Sequence, residues 1–238
     1  MKIICYIYDH INNPILGGGG SLRIKKIHEP LSKKHKITII SGAYRRCKNY
    51  TENNIHYQFL GFKTNYLLSR ISFAVLANIH SIFAKADLFI VSYSVFSPVL
   101  TFLWKREKTI VEFFHFVGWM SVKKYNIFGF IPIMFEKLVL HFGKYFITIN
   151  TDITQLIRKK YKKIAIAAYT GVDDEAFQKN TKDQPYILVF GRIDVQMKGL
   201  DIMMDVYENL AKKYSDLGLM IGGRGSDKDV KYLLKKRK

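Results

Sequence analysis

One stretch constrains the fold more than any other: residues 186–210, YILVFGRIDVQMKGLDIMMDVYENL. It opens with a short apolar run of the kind that a parallel sheet buries on both faces. Gly191 ends that run. From Gly199 onward, Leu200, Met203, Met204, Tyr207 and Leu210 recur at helical spacing. The turn between strand and helix carries Arg192 and Lys198. A helix N-terminus facing the carboxyl end of a parallel strand offers free N–H groups and a partial positive charge, and two full cations beside it make a site for a diphosphate. The plainer alternative is a pair of solvated charges on a βα loop.

The rest of the chain repeats the pattern. Residues 2–8 predict a strand, followed by Gly17, Gly18, Gly19 and Gly20 and then a helix over 21–34. Four consecutive glycines let the backbone come close to a ligand at the sheet's carboxyl edge. They are not a dinucleotide fingerprint, because Gly-x-Gly-x-x-Gly counted from Gly17 and Gly19 ends on Leu22, and the next strand, 36–40, leads into Ser41-Gly42 with no acid for a ribose. A Walker loop would need Gly-Lys-Ser/Thr, which is absent. Residues 41–66 show no clear periodicity. Beyond them come a helix over 67–84, strands over 87–91 and 109–114 separated by a helix over 97–103, a strand over 146–149, a helix over 152–160 capped by Thr151 or Asp152, and a strand over 164–167. Strand and helix in alternation predict an α/β, doubly wound parallel sheet. His115 stands where the 109–114 strand ends, the edge at which ligands of open α/β sheets gather. Glu112 on the same strand faces the other way and has no assigned role.

Composition decides what surrounds this framework. The net charge is +19, which no fold requires, and it points to an anionic partner or surface. Residues 182–238 hold 12 Lys/Arg against 8 Asp/Glu, a net of +4, so the remainder carries +15. The basic excess therefore lies away from the Arg192/Lys198 turn. Two cysteines, Cys5 and Cys47, sit in no metal or redox spacing, so a reducing compartment is the default. No histidine motif for zinc is present. The apolar run at Met1 has no small-residue cleavage site, and the uncharged stretch 88–104 contains Pro98 and several serines, which fit a strand, a turn and a helix better than a membrane span.

Five segments together resemble glycosyltransferase family 4, the retaining enzymes of the GT-B fold. These are the glycine loop, VEFFHFVGW around His115, the GR…KG pair at 191–199, Tyr169-Thr170-Gly171-Val172-Asp173, and Gly222-Gly223-Arg224-Gly225. Two departures are visible: Thr170 stands for the usual Asn, and Ser226 for the proline of the family's GxGP loop. The resemblance implies a Rossmann-like acceptor-side domain over 1–180, a polar linker over 178–184, and an incomplete second Rossmann-like domain over 181–238 that binds the nucleotide-sugar. It implies that Arg192 and Lys198 grip the donor phosphates, that His115 faces the transferred sugar, and that Gly17, Gly18, Gly19, Gly20, Gly191, Gly223 and Gly225 lie against the donor. The family's further motif, two glutamates separated by seven residues, lies beyond this sequence. A second chain or homo-oligomer completing the donor half is one expectation, and a truncated, silent remnant is another.

The implied activity is transfer of a hexose from a UDP- or GDP-linked donor to a lipid or glycan acceptor, with no further cofactor and no metal ligand read from the sequence. The segment 122–146 mixes Lys123, Lys124, Lys137 and Lys144 with Phe128, Phe130, Ile131 and Met134, as an element at an anionic membrane surface does. A core helix with lysine edges reads the same way. The expectation is a cytoplasmic protein peripheral to the inner face of the membrane. The alternative class is an inactive GT-B remnant that binds membranes or glycans. Nucleic acid is disfavoured, because no recognition motif accompanies the charge.

Overall fold

The computed structural model describes residues 1–14, 18–119, 121–122, 126–177 and 184–236. The chain divides into two compact units, Met1–Gly171 and Val172–Lys238.

In the first unit, β1 (Lys2–Tyr6), β2 (Lys36–Gly42), β3 (Tyr50–Glu52), β4 (Ile55–Leu60), β5 (Leu88–Ser92), β6 (Thr109–Phe113), β7 (Tyr145–Thr148) and β8 (Ile164–Ala167) form one sheet. The order is β3-β4-β2-β1-β5-β6-β7-β8. Neighbours run parallel except at the β3–β4 hairpin. Helices α1 (Gly19–Ser32), α2 (Tyr66–Phe83), α3 (Thr101–Lys105), α4 (Phe130–Phe142) and α5 (Thr151–Tyr161) connect the parallel strands. Because β2 lies on one side of β1 and β5 on the other, the order reverses there, and the crevice at their carboxyl ends is the natural ligand position of such a sheet.

The period of two in each strand sorts the core onto two faces. Ile3, Cys5 and Ile7 meet Ile24 of α1 on one face, while Ile4, Tyr6 and Tyr8 meet Phe73 and Ala77 of α2 on the other. Further along the second face, Phe102, Val139, Leu140 and Ile157 from α3, α4 and α5 pack on Val111, Phe113 and Phe146. Full burial of an aromatic such as Phe73 contributes about 2–3 kcal/mol from apolar surface alone.

Two local features differ from expectation. The aperiodic stretch contains the β3–β4 hairpin, turned by Asn53 and Asn54 at φ 49° and 61°, the left-handed pair that a two-residue hairpin loop needs. The cap of α5 is Asn150, one residue earlier than Thr151. Its extended backbone lets the side chain accept from the N–H groups of Asp152 and Ile153.

The second unit pairs β9 (Tyr186–Phe190) in parallel with β10 (Gly218–Gly222). Helices α6 (Val195–Lys198), α7 (Leu200–Ala211) and α8 (Asp227–Lys236) complete it. Its core is Val195, Leu200, Met204 and Leu233, with Val189, Ile193 and Leu219 against them. The expectation of a strand buried on both faces is not met. Val189 packs inward, whereas Leu188 and Phe190 are 53% and 83% exposed. Helices of this unit cover one face of its two-stranded sheet, so alternate residues of an all-apolar run stay in solvent.

Candidate active site

At the carboxyl edge of the first unit, the glycine loop opens α1. Gly17 lies outside the described residues. Gly18 is the N-cap, extended at φ −119°, and no side chain caps the helix. A Cβ at Gly18 or Gly19 would meet nothing within 4 Å, and one at Gly20 would make an ordinary 3.8 Å contact with Ile7. Packing therefore does not demand these glycines. What they leave is a helix N-terminus at the switch point that no side chain caps among the described residues, as anion binding prefers.

His115 follows β6 and is exposed. Its loop is anchored on both sides: Phe113 is buried, Phe116 lies edge-on against it with ring centroids 5.0 Å apart, and the N–H of Val117 donates to the Glu136 carboxylate. Among the described residues the imidazole makes no side-chain hydrogen bond. Since β6 stops at Phe113, the strand alternation that set Glu112 against His115 does not reach the histidine.

Four residues near this edge gave no signal in the sequence. Glu112 is buried and accepts from Ser92 Oγ at 2.7 Å. Burial pushes its carboxyl up, partly offset by that hydrogen bond and by the charge of Arg23. Arg23 of α1 is also buried and donates to the carbonyls of Ala168 and Tyr169 and to Thr170 Oγ1, at 2.9, 3.0 and 3.3 Å. It thus ties the glycine-loop helix to the YTG segment that follows β8. His10 follows β1 among Tyr44, Tyr50, Tyr57 and Phe59, with ring centroids 4.8–6.0 Å away. Burial pushes its imidazole down to about 4, and Nε2 pairs with Tyr50 Oη at 3.1 Å. Arg70 of α2 lies 5.1, 4.8 and 4.3 Å from the ring centroids of Tyr8, Tyr66 and Phe96, a cation–π enclosure that holds its charge in place.

In the second unit, two glycine loops run side by side. Gly191 N–H donates to Gly222 O at 2.9 Å and Ile193 N–H to Arg224 O at 2.8 Å, and Ile193 bridges Gly225 in parallel. A Cβ at Gly223, where φ is 148°, would lie 1.7 Å from the Gly191 carbonyl oxygen, and one at Gly225 would lie 2.2 Å from that of Ile193. Both glycines are therefore required by backbone approach, independently of any ligand. Gly191 itself, at φ 155°, has open space where a Cβ would be.

The turn between β9 and α7 holds the short α6. The Asp194 carboxylate caps it by accepting from Met197 N–H at 3.1 Å, and Gly199 ends it at φ 61°. Asp229 of α8 accepts from Val195 N–H and from Ser226 Oγ, the residue that stands where the family pattern has proline. Asp194 and Asp229 are thus engaged in holding the backbone. Arg192 and Lys198 are exposed and, among the described residues, neither makes a side-chain hydrogen bond or ion pair. No group of three or more His, Cys, Asp or Glu converges as a metal site among those residues.

No protein-family model and no curated protein matches the sequence. Solved structures do. A sucrose-phosphate synthase from Thermosynechococcus elongatus superposes with a TM-score of 0.72 at 12% identity, over 99% of this chain and 67% of its own. The trehalose 6-phosphate synthase of Burkholderia multivorans gives 0.59 at 12% identity, over 99% and 66%. The Phytolacca americana glycosyltransferase UGT2, solved with UDP-2-fluoro-glucose and pterostilbene, gives 0.51 at 7% identity, over 94% and 72%. The chain spans about two thirds of the length of the first two. A mostly parallel sheet flanked by helices defines an α/β protein. More particularly, its fold is that of the GT-B glycosyltransferases.

Proposed function

We propose that this protein transfers a hexose from a nucleotide-sugar, UDP- or GDP-linked, to a lipid or glycan acceptor at an anionic membrane surface on the cytoplasmic side, with retention of anomeric configuration. The observation that carries the reading is the pair of exposed cations, Arg192 and Lys198, which pair with no acid among the described residues, while Asp194 and Asp229 are engaged by the backbone of the turn. The GT-B fold supports a nucleotide-sugar donor, as does the sugar nucleotide bound in one structural neighbour. In this mechanism the acceptor hydroxyl attacks the anomeric carbon on the face from which the diphosphate departs. The C–O bond to phosphate breaks ahead of attack, the sugar passes through an oxocarbenium-like state, and the hydroxyl proton goes to the leaving phosphate oxygen. Arg192 and Lys198 stabilise the charge growing on that phosphate, each by about 3 kcal/mol in a dry site. His115 orients the sugar.

Calorimetry with UDP and GDP tests the binding step on the full chain. Binding of one of them, weakened in Arg192→Ala and in Lys198→Ala, supports the reading. With a donor in hand, Arg192→Ala lowers turnover about a hundredfold, the rate equivalent of about 3 kcal/mol, without shifting the melting temperature. Unchanged turnover removes Arg192 from the mechanism. The second reading, a silent membrane- or glycan-binding remnant or a half completed by a second chain, is favoured by the small core of Val172–Lys238. Absence of diphosphate binding by the chain alone selects it.

A further inference from the structure

Helix α2 is apolar on two sides. Phe73 and Ala77 are fully buried against the sheet, and Ser69, Ser72 and Ser81 are buried beside them. Leu68, Ile71, Val75, Ile79 and Ile82 are exposed, by between 43% and 54%. At about 100° per residue these five fall within roughly a quarter of the helix circumference, one straight aliphatic stripe about 21 Å long from Leu68 to Ile82. By length and composition α2 is apolar enough to cross a membrane. Its inner side is held in the core of the sheet, so it lies along the surface of the unit and does not leave it.

The charges around the stripe are mostly positive, Asp87 at its C-terminal end being the exception. Residues 62–86 contain Lys63, Arg70 and Lys85 and no acid. Lys63 donates to the carbonyl of Cys47, which brings exposed Arg45 and Lys48 to the N-terminal end of α2. At the other end Lys85 is exposed, and Trp104 donates to Ser81 Oγ, which seats α3, followed in sequence by the exposed Arg106 and Lys108, against the C-terminal half of α2. Of the two acids at that end, Glu107 is paired with Lys144 and Asp87 accepts from the Lys2 N–H. An aliphatic strip with cations at both ends matches a bilayer whose headgroups are anionic: the side chains enter the acyl boundary and the cations meet phosphates. A second copy fits worse. In a two-fold dimer through α2, cationic ends would face cationic ends whichever way the helices ran, and a stripe without polar side chains offers no hydrogen bonds to a protein partner.

We infer that the exposed stripe of α2 is the surface by which the protein docks on anionic lipid, with Val75 near the centre of the inserted face. The inference deepens the membrane-peripheral part of the proposed function. It adds a helix on the same face of the sheet to the segment 122–146, whose Ile127, Phe128, Phe130, Ile131 and Met134 are likewise exposed.

The test is co-sedimentation of the full chain with phosphatidylcholine vesicles, with and without phosphatidylglycerol, comparing wild type with Val75→Gln/Ile79→Gln. Glutamine keeps helix propensity, so the melting temperature stays within about 2 °C. Wild type binds the anionic vesicles only, and the double variant binds them at least about tenfold more weakly, because aliphatic burial is lost. In a parallel sample, the added fluorescence of Val75→Trp is quenched by brominated acyl chains. Equal vesicle affinity of the double variant overturns the inference. So does a wild type that ignores vesicles, including one that forms a concentration-dependent dimer abolished by the same substitutions. UDP and GDP calorimetry on these samples separates the two proposals: diphosphate binding without vesicle binding sinks docking alone, and vesicle binding without diphosphate binding sinks the transferase reading alone.

Discussion

In Met1–Gly171 an eight-stranded sheet lies between helices on both faces, and three clusters of buried side chains fill the layers. In Val172–Lys238 two strands rest on one helical layer over four buried residues. The same strand–turn–helix grammar builds both, yet different forces hold their loops. The larger unit positions His115 and the glycine loop by core packing and by Arg23, whose three hydrogen bonds reach across the sheet edge. The smaller positions Arg192 and Lys198 by backbone staples between glycine loops and by carboxylate caps. A turn can therefore be well defined on a unit with little core.

The contrast can be broken most directly in the cores. Phe73→Ala, at a fully buried position, costs about 3–5 kcal/mol in urea unfolding. Met204→Ala costs about 2 kcal/mol, since its site is shallower and methionine adapts. Hydrogen exchange gives the companion result: β9 and β10 amides exchange well before those of β1 and β5. Equal protection would show that the small unit draws stability from something other than its own core.

Next in size is a pair of glycine substitutions. Gly223→Ala places a Cβ on the Gly191 carbonyl at a left-handed φ and lowers the stability of the second unit by about 2–3 kcal/mol. Gly18→Ala meets nothing within 4 Å and costs about 0.5–1 kcal/mol through the cap alone. Thermal melts of the two variants distinguish a structural glycine from one left bare.

A further contrast is pH dependence, which separates the units because residues 172–238 contain no histidine. Burial lowers the imidazoles of His10, His28 and His80, that of His10 to about 4. A lowered folded pKa contributes stability that is fully present above the unfolded value near 6.5 and is lost as pH falls from there toward 4. Both tryptophans, Trp104 and Trp119, lie in the first unit, so melting followed by tryptophan fluorescence reports it alone. Its midpoint falls between pH 6.5 and 4.5, and His10→Gln flattens the slope. A flat wild-type profile would show that the imidazoles are solvated.

Much of the fold was legible because buried parallel strands are written as apolar runs. The 164–167 and 186–190 strands match the observed ones, and most helices begin within two residues of expectation. The β3–β4 hairpin was missed: β3 is only three residues and polar, and its marks in the sequence were the Asn53-Asn54 pair and the alternation of Ile55, Tyr57 and Phe59 in β4. The 186–190 run was misread as doubly buried because hydrophobicity records what a strand can bury and not how many layers are there. In the candidate site, the residues visible in sequence sit at chain-local punctuation, a strand end or a glycine turn. Arg23, Glu112, His10 and Arg70 act through partners 20 to 147 positions away, or through ring packing, and no local pattern encodes that.

The pairing of the two glycine loops carries an evolutionary consequence. Since the missing Cβ of Gly223 is the space that the Gly191 carbonyl occupies, neither loop can change length or shape without the other. Drift in the backbone of these loops would have to pass through coordinated double changes, and single replacements of Gly223 or Gly225 would be purged for instability before selectivity could alter. Diversification is cheaper at Arg192, Lys198 and Arg224, whose side chains project from the locked backbone while leaving its hydrogen bonds untouched.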